Sequence, residues 1–405
     1  MYKRFKNLFV IKGYRLFVIC ILLIGVGISI TQPYLSLYAT EKLGMSTGAF
    51  GVFMAVSSLS GVVVNSLIAK RSDSGLDRRW LIILAMLSSA LGYASYLVFD
   101  NFLILLLVIA FFTGLGAPAM PQIYAYAQES ANESPTSDKT FAMSTLRSLV
   151  SLGFLIGPLA GTLILGLLGY KGLFLGTSAI YLIIAILVYL FLPTRKSVQR
   201  QDRKRTSIRK SPFRSRQIMQ PLIAFIFLFG VHAIHGINTP LFIINELHGT
   251  HTDVGLVVSI SAGLEIPIML ILGGLGGKIS NHSLMMIGCV IALIYYSILS
   301  ISTESWQLIA AQLLQATYVA IVMGNGLSYF TDLLPDSPGL STTIYYNGSI
   351  IGRLVGNMGG GILAQLAGFR HAYLACLAIV IISLFILWRT KPHVERGGAS
   401  GHGTV

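Results

Sequence analysis

Long apolar runs constrain this chain more than any other feature of its sequence. A helix needs about 20 apolar residues to cross the hydrocarbon core of a bilayer, and twelve runs reach about that length or exceed it. No alternating ten-residue pattern typical of a membrane β-barrel is visible. The sequence therefore predicts an all-α polytopic membrane protein with twelve transmembrane helices. These runs, numbered spans 1 to 12, lie at residues 15–38, 47–69, 80–99, 102–128, 140–167, 171–192, 218–244, 250–276, 283–302, 305–332, 339–366 and 369–388.

The composition excludes a water-soluble fold. Apolar residues make up 54% of the chain and charged residues only 11%, whereas soluble globular proteins contain about 25% charged residues. The three cysteines, Cys20, Cys289 and Cys376, lie in apolar runs far apart in the sequence. Such spacing favours neither a disulfide framework nor a metal site, so we expect no metal and no cofactor.

Lys and Arg are distributed unevenly among the segments that connect the spans. Cytoplasmic loops of membrane proteins carry an excess of these residues. Here 24 of them fall on one side of the predicted topology and 3 on the other, so we expect both termini in the cytoplasm. The net charge of +14 then reflects topology and contact with membrane lipids, and nucleic acid is not an expected partner.

The spans divide into two groups of six, separated by a long polar segment. Two halves joined in this way are typical of secondary transporters, in which the substrate site lies between the repeats near the bilayer midplane. The predicted parts are an N-terminal six-helix half at residues 1–192, a basic cytoplasmic linker at 193–217, a C-terminal six-helix half at 218–388 and a cytoplasmic tail at 389–405.

The cytoplasmic ends of spans 4 and 10 carry the same pattern of polar residues. Each presents an amide, a phenol and a carboxylate on one helical stripe, with a constant offset of 203 residues between the two sets. Weak internal similarity of this kind supports the division into two halves. The residues are Gln122, Tyr126 and Glu129 in span 4, and Asn325, Tyr329 and Asp332 in span 10.

Charged side chains inside the spans need a reason, because a charge at membrane depth costs at least about 2.5–3.5 kcal/mol. Arg147 in span 5, Glu265 in span 8 and Arg353 in span 11 are the three clear cases. His232 and His235 in span 7 add two ionisable groups. We expect these spans to face one water-filled cavity. The alternative is that Glu265 and Arg353 only pair to hold two helices together.

Glu265 is the one carboxylate placed well inside a span. One hypothesis makes it the proton-coupling residue, which binds and releases a proton as access alternates. Another makes it a hydrogen-bond acceptor for substrate hydroxyls. His232 and His235 lie three residues apart on one helical face and can titrate near neutral pH. Either they contribute to the same site or they only make hydrogen bonds between helices.

Amides and phenols accompany these charges, several of them next to prolines. Amides and arginines bind hydroxyl groups and aromatic rings cover the apolar face of a sugar, so the set suits a polyhydroxylated ligand. The alternative for many of them is interhelical hydrogen bonding, which contributes about 0.6 kcal/mol on average. The candidate substrate-binding residues are Gln32, Tyr34, Gln122, Arg147, His232, His235, Asn238, Glu265, Asn325, Tyr346, Asn347 and Arg353.

Several segments match the motifs of one transporter family. They are NSLIAKRSDSGLDRR at residues 65–79, INTPLFIINELH at 237–248, AGLEIPIML at 262–270, YFTDLLP at 329–335, STTIYYN at 341–347, and Arg147 with Gly157-Pro158 in span 5. Through them, nearly the whole chain resembles the bacterial sugar efflux transporters of the major facilitator superfamily. Arg353 departs from the pattern by about one helical turn, and Gly348 follows Asn347 where the family has Thr.

The resemblance implies the major facilitator fold and export of sugars or glycosides in exchange for protons. It also implies a multi-pass protein of the bacterial inner membrane, which we expect to act as a monomer. At the cytoplasmic face we predict a gate that closes when the transporter faces outward. Its residues are Asp73, Arg78 and Glu129 in one half, and Lys278 and Asp332 in the other.

Other functions are weighed against this one. A proton-coupled multidrug exporter of the same fold is the alternative, because Gly153, Gly157, Pro158 and Gly161 resemble the antiporter motif of drug exporters. We do not expect an enzyme, since membrane-embedded catalysis needs paired carboxylates or a metal cluster and only one deep carboxylate is present. A channel needs a repeated pore motif, and none is visible.

Overall fold

The structure is a computed structural model that describes residues 8–72, 77–134, 139–194, 216–274, 279–335 and 337–390. The predicted gate residues Asp73 and Lys278 lie outside these ranges. So do most of the predicted linker, at residues 195–215, and most of the predicted tail, at 391–405.

Helices account for nearly all of the described chain before the linker. Two of the predicted spans are interrupted: span 1 by a 3₁₀ turn at Gln32–Tyr34 that contains Pro33, and span 4 near Pro118. The helices are α1 (Tyr14–Thr31), α2 (Leu35–Glu41), α3 (Thr47–Ser72), α4 (Arg78–Ser95), α5 (Phe102–Gly116), α6 (Ala119–Glu133) and α7 (Lys139–Phe191).

The second part of the chain follows the same plan. Span 10 is the most divided, because a π-helical turn at Ala320–Gly324 interrupts it, and such turns often occur at functional sites. The helices are α8 (Arg216–Asn245), α9 (His251–Gly274), α10 (Asn281–Ile301), α11 (Ser305–Ala310), α12 (Gln312–Val319), α13 (Gly326–Leu333), α14 (Pro338–Ala367) and α15 (Phe369–Arg389).

Nine helices in the described ranges are long and apolar enough to cross a membrane. Predicted spans 5 and 6 count as one of them, because α7 comprises two helical segments that meet at a kink at Gly169. Helices α4 and α14 are not among the nine. The surface is that of a protein in lipid, since large apolar side chains such as Leu167 and Leu366 are 82% and 79% exposed. The chain therefore spans a membrane, and the count of twelve crossings stays a prediction.

The helix boundaries follow from local sequence. The Asp77 side chain accepts a hydrogen bond from the Arg79 backbone N–H at the start of α4, and the Ser280 hydroxyl accepts one from the Ser283 N–H at the start of α10. Side-chain acceptors at these positions satisfy N–H groups that have no partner within the helix. Gly169 and Gly368 have φ angles of 64° and 87°, which glycine adopts without steric cost, and each redirects the chain at a helix boundary.

The residues before and after the linker have separate apolar cores. Phe17, Ile82 and Tyr126 belong to a buried cluster formed by residues 8–192. Phe225 and Phe330 belong to a second cluster, drawn mainly from residues 218–387. We call the two parts of the described chain the first half, residues 8–194, and the second half, residues 216–390.

The halves contact each other mainly through two helix pairs, α3 with α14 and α7 with α9, and to a smaller extent through α2 and the 3₁₀ turn, which contact α8 and α9. The Thr47 hydroxyl donates to the Gly361 carbonyl at 3.0 Å, and the Gly48 N–H donates to Gln365 Oε1 at 3.1 Å. At the second pair, a Cβ on Gly255 of α9 would lie 3.2 Å from the Pro158 carbonyl oxygen of α7. These contacts involve the start of α3 and α9 and the end of α14, at the end of the bundle opposite Tyr14 and Arg389.

On the side of the contacts that faces Tyr14 and Arg389, some side chains near the middle of the helices are exposed. Arg147 of α7 and Arg353 of α14 are both in this class. Arg147 lies about two turns along α7 from Leu155, which packs near Gly263 of α9, and Arg353 lies about one turn along α14 from Asn357, which packs against Gly51 of α3. The space between the halves is therefore open toward the end of the bundle that carries Tyr14 and Arg389.

Candidate functional site

A cavity of about 340 Å³ lies between the two halves. The first half contributes α1, the 3₁₀ turn and α7, and the second half contributes α8, α9 and α12. Clefts between domains and between helices of a bundle are the usual position of small-molecule sites. Its polar lining residues are Ser29, Gln32, Ser151, His232, His235, Thr239, Ser261, Glu265, Gln312 and Gln315.

The wall from the second half carries polar atoms without hydrogen-bond partners. His232 Nδ1, Gln312 Oε1 and Gln315 Oε1 are buried and unpartnered within the described chain, and all three side chains line the cavity. A buried polar atom without a partner costs about 1–3 kcal/mol. A ligand rich in hydroxyl groups removes this cost by bonding to several of them at once.

Other polar groups on the same wall are held in place by the protein. The Thr239 hydroxyl lies 2.8 Å from His235 Nδ1 and 3.1 Å from the Tyr373 hydroxyl. Gln312 Nε2 donates to the Leu308 carbonyl at 2.8 Å. The donor end of Gln312 is therefore fixed on its own helix, while its amide oxygen is buried without a hydrogen-bond partner in the described chain.

Glu265 lies on α9, where the Ser261 hydroxyl, one turn earlier, is its side-chain hydrogen-bond neighbour. Both residues line the cavity. The pair with Arg353, which was the alternative to a functional role, is not formed: in the described part of the chain the salt bridges join Arg78 with Glu129 and Arg370 with Glu246. Glu265 is therefore free to interact with a substrate or a proton.

The two arginines of the spans lie near the open side of the cavity. Arg147 is exposed on α7, on the same helical stripe as the cavity residues Ser151 and Phe154. Arg353 is exposed on α14 and lies within electrostatic range of His232. Four of the twelve predicted binding residues therefore line the cavity: Gln32, His232, His235 and Glu265. Arg353 adjoins the cavity through the lining residue His232. Arg147 lies one helical turn from the lining residue Ser151.

Four predicted binding residues make contacts within the protein instead. The Tyr34 hydroxyl donates to the Pro158 carbonyl at 2.9 Å, Gln122 Oε1 accepts from Arg78 at 2.7 Å, and Asn238 Nδ2 donates to the Gly360 carbonyl at 3.2 Å. Asn325 Nδ2 donates to Asn281 at 2.6 Å. These are the interhelical hydrogen bonds that the sequence left open as the alternative. Two further candidates, Tyr346 and Asn347, are exposed on α14 and do not line the cavity.

The predicted gate residue Arg78 contacts two helix α6 side chains. Its Nη2 and Nε atoms donate to Glu129 Oε1 at 2.9 and 3.1 Å, and Nη1 donates to Gln122. Arg78 is 8% exposed. This cluster joins α4 to α6 within the first half, and we call it the arginine cluster.

The second half contains a related cluster at equivalent positions. Asn281 Nδ2 donates to Asp332 Oδ2 at 2.6 Å, and Asn325 Nδ2 donates to Asn281 Oδ1. Asn281, Asn325 and Asp332 each lie 203 residues after the corresponding member of the arginine cluster. The internal repeat therefore extends to three-dimensional contacts, with a neutral amide at the position of the arginine.

Replacing Arg78 with Ala is expected to destabilise the first half by about 1–3 kcal/mol, because Glu129 and Gln122 lose a charged hydrogen-bond donor. The matched control is Arg370→Ala. Arg370 and Glu246 are 36% and 30% exposed, and such a pair contributes about 0–1 kcal/mol. Thermal unfolding of the two purified variants in detergent compares them. An equal loss of stability would contradict a structural role for the arginine cluster.

A second cavity of about 360 Å³ lies within the first half. Its lining is mainly apolar and aromatic, with Phe53, Tyr93 and Phe112 among the rings. Gln32 lines both cavities. The first half thus offers an apolar chamber beside the polar wall of the second half.

Sequence reasoning missed Gln312 and Gln315. Both lie in an apolar span three residues apart, a spacing that places two amides on one helical face. That spacing was the available signal. As for metal sites, the described residues contain no group of three or more His, Cys, Asp or Glu side chains that could hold an ion.

Comparisons with known proteins agree with this architecture. The sequence profile of the Major Facilitator Superfamily matches residues 17–302 and 222–404. The chain is 31% identical over 379 residues to Sugar efflux transporter B of Salmonella typhimurium, covering 93% of this chain and 95% of that protein. It is 30% identical over 377 residues to Sugar efflux transporter A of Dickeya chrysanthemi, with the same coverage of 93% and 95%.

Among solved structures, the nucleoside transporter NupG resembles the chain with a TM-score of 0.74. The match covers 95% of this chain and 98% of NupG, at 14% sequence identity. At this identity the likeness concerns the fold alone.

Proposed function

The chain belongs to the Major Facilitator Superfamily, and from this premise we propose that it exports sugars or glycosides by alternating access in exchange for protons. Two relatives that it matches over almost their whole length bear the name sugar efflux transporter. The single observation that carries the proposal is the set of buried, unpartnered polar atoms on side chains that line the central cavity. His232 Nδ1, Gln312 Oε1 and Gln315 Oε1 suit a ligand with several hydroxyl groups.

The proposed mechanism uses both halves of the chain. The cavity receives substrate while it is open toward the termini, and rocking of the halves then exposes it on the other side. Glu265 carries the exchanged proton. The residues Asp73, Arg78, Glu129, Lys278 and Asp332 belong to the gate that closes the first side.

We propose an orientation of the protein in the membrane as well. The excess of Lys and Arg on one side supports cytoplasmic termini in a bacterial inner membrane. In this orientation the cavity faces the cytoplasm, from which an exporter takes its substrate. We propose that the protein acts as a monomer and that its basic connecting segments contact anionic lipids.

Counterflow in proteoliposomes tests the proposed function. The purified full-length protein is reconstituted, the vesicles are preloaded with unlabelled sugar, and uptake of labelled glucose, lactose and glucuronate is followed with and without a pH gradient. We expect transient accumulation of at least one saccharide, and net flux that responds to the gradient. Counterflow of a cationic drug, together with no counterflow of any saccharide, would overturn the proposal.

A multidrug exporter of the same fold is the second candidate. The second cavity supports it, because rings such as Phe53, Tyr93 and Phe112 suit an apolar aromatic compound. The same counterflow experiment separates the two candidates, since it includes drug and sugar in parallel.

Replacing Gln315 with Leu is expected to raise the half-saturation concentration for sugar about tenfold. The substitution removes a hydrogen-bonding amide from the cavity wall, and one such bond contributes about 0.5–1.5 kcal/mol, or more when a buried partner is left unsatisfied. Gln128→Leu is the control, because Gln128 bonds to Asn132 on α6 outside the cavity. An unchanged affinity in Gln315→Leu would exclude this amide from the binding site.

A further inference from the structure

Among the described residues, two arginines near the cavity have no salt-bridge partner. In the part of the chain that the structure describes, the salt bridges use Arg78 and Arg370, and neither Arg147 nor Arg353 takes part in one. Both lie in the middle of apolar helices. An arginine at that depth normally pairs with an acidic group or marks a substrate pathway.

Arg353 lies on the same helical stripe as a residue that contacts the first half. It lies one turn before Asn357 on α14, and the Asn357 carbonyl is in close contact with Gly51 of α3. Its electrostatic neighbours are Tyr345 on its own helix and His232 on α8. Neither of these is a carboxylate, and no carboxylate of the described chain forms a salt bridge with Arg353.

Arg147 approaches the cavity from the opposite side. It lies one turn before Ser151 and two turns before Phe154, and both of those residues line the cavity. Its electrostatic neighbour is the phenol of Tyr124. The two arginines therefore flank the open side of the cavity from α7 and α14.

Charge balance in this region favours an anion. Glu265 is the one acidic residue among the described residues that line the cavity. Because substrate and proton are exchanged, Glu265 is ionised while substrate is bound, and its single negative charge then faces two arginines that form no salt bridge within the described chain. A cleft lined by one sign of charge concentrates ligands of the opposite sign, and arginine forms strong paired hydrogen bonds with carboxylate and phosphate groups.

We propose that the preferred substrate is an acidic saccharide, whose carboxylate or phosphate group binds Arg353 at the open side of the cavity. This rests on the proposed sugar export and names the substrate class for the same site. The hydroxyl groups of the sugar contact His232, Gln312 and Gln315, while Arg147 adds to the attraction for the anion. The acidic group thus compensates the charge that the protein leaves unpaired.

Competition in the counterflow assay tests the proposal. Four hexoses are compared as labelled substrates and as competitors: neutral glucose, the acids glucuronate and glucose 6-phosphate, and cationic glucosamine. We expect glucuronate or glucose 6-phosphate to have a half-saturation concentration about tenfold or more below that of glucose, the size of one charge-assisted hydrogen bond. Glucosamine should bind most weakly. The acid that binds better identifies the group as carboxylate or phosphate.

Substitutions identify the residue responsible. In Arg353→Gln the ratio of the half-saturation concentration for glucose to that for the acidic hexose should fall about tenfold. Arg353→Lys should retain part of the preference, and Arg147→Gln should reduce it less. Arg370→Gln is the control, since Arg370 bonds to Glu246 and to the Ser300 carbonyl away from the cavity, and it should keep the full preference.

The outcomes separate this inference from the function on which it rests. Glucose binding as tightly as both acids, or an acidic preference that survives in Arg353→Gln, would overturn the inference and leave sugar export standing. Absence of exchange with every saccharide would overturn both.

Discussion

Replacing Glu265 with Gln is expected to reduce net sugar efflux driven by a pH gradient about a hundredfold. This factor is near the upper limit of the coupling that two ligands of one protein show, here the proton and the sugar. Glutamine keeps the size of the side chain and can still bond to Ser261, but it cannot bind or release a proton. Exchange of labelled for unlabelled sugar requires no net proton movement. It should therefore persist at a rate close to that of the unsubstituted protein.

Reconstituted vesicles give both measurements on one preparation. Efflux is followed after imposing a pH gradient, and exchange is followed by counterflow at equal pH on both sides. Glu41→Gln is the matched control, because the Glu41 carboxylate accepts a hydrogen bond from Tyr170 at the far end of the bundle and should not affect coupling. If Glu265→Gln lost efflux and exchange equally, Glu265 would be a substrate-binding residue and not the proton carrier.

The sequence predicted the fold class well because membrane helices are specified by local composition. A run of apolar residues is sufficient to place α8 or α15 within a few residues of its observed ends. The offset of 203 residues between halves was also visible, and in three dimensions it relates Arg78 to Asn281. Both signals lie in the sequence itself and do not depend on how the helices are rotated.

Helix rotation explains where prediction of the site was incomplete. His235 and Asn238 are three residues apart on α8, yet His235 lines the cavity and Asn238 bonds to Gly360 of α14. Which polar residue turns toward the cavity depends on how closely α8 and α14 pack. Gln122 was likewise assigned to substrate, because nothing in the sequence indicates that Arg78 lies beside it in the folded protein.

The close packing of α8 and α14 leads to the second large effect. Gly230 on α8 and Gly356 on α14 meet with almost no space between the backbones: a Cβ on Gly356 would lie 2.7 Å from Gly230 Cα and 2.8 Å from its carbonyl carbon. Small residues allow helices in membranes to approach in this way. Gly356→Ala must therefore move one helix away from the other, since backbone atoms cannot rotate aside as a side chain can.

We expect Gly356→Ala to destabilise the protein by about 3 kcal/mol or more, at the upper end of the cost of overpacking. Gly359, on the same helix, is the matched control, because a Cβ there would have no neighbour within 4 Å. In a helix interior Ala is more stable than Gly by about 0.5–1 kcal/mol, so Gly359→Ala should melt at or above the temperature of the unsubstituted protein. The two substitutions are chemically identical and three residues apart, yet they should shift the melting temperature in detergent in opposite directions.

Since His232 lies on α8 next to this contact, a Gly356→Ala protein that remained folded should also show weaker sugar binding. A melting temperature unchanged in both variants would mean that α8 and α14 are not packed backbone to backbone.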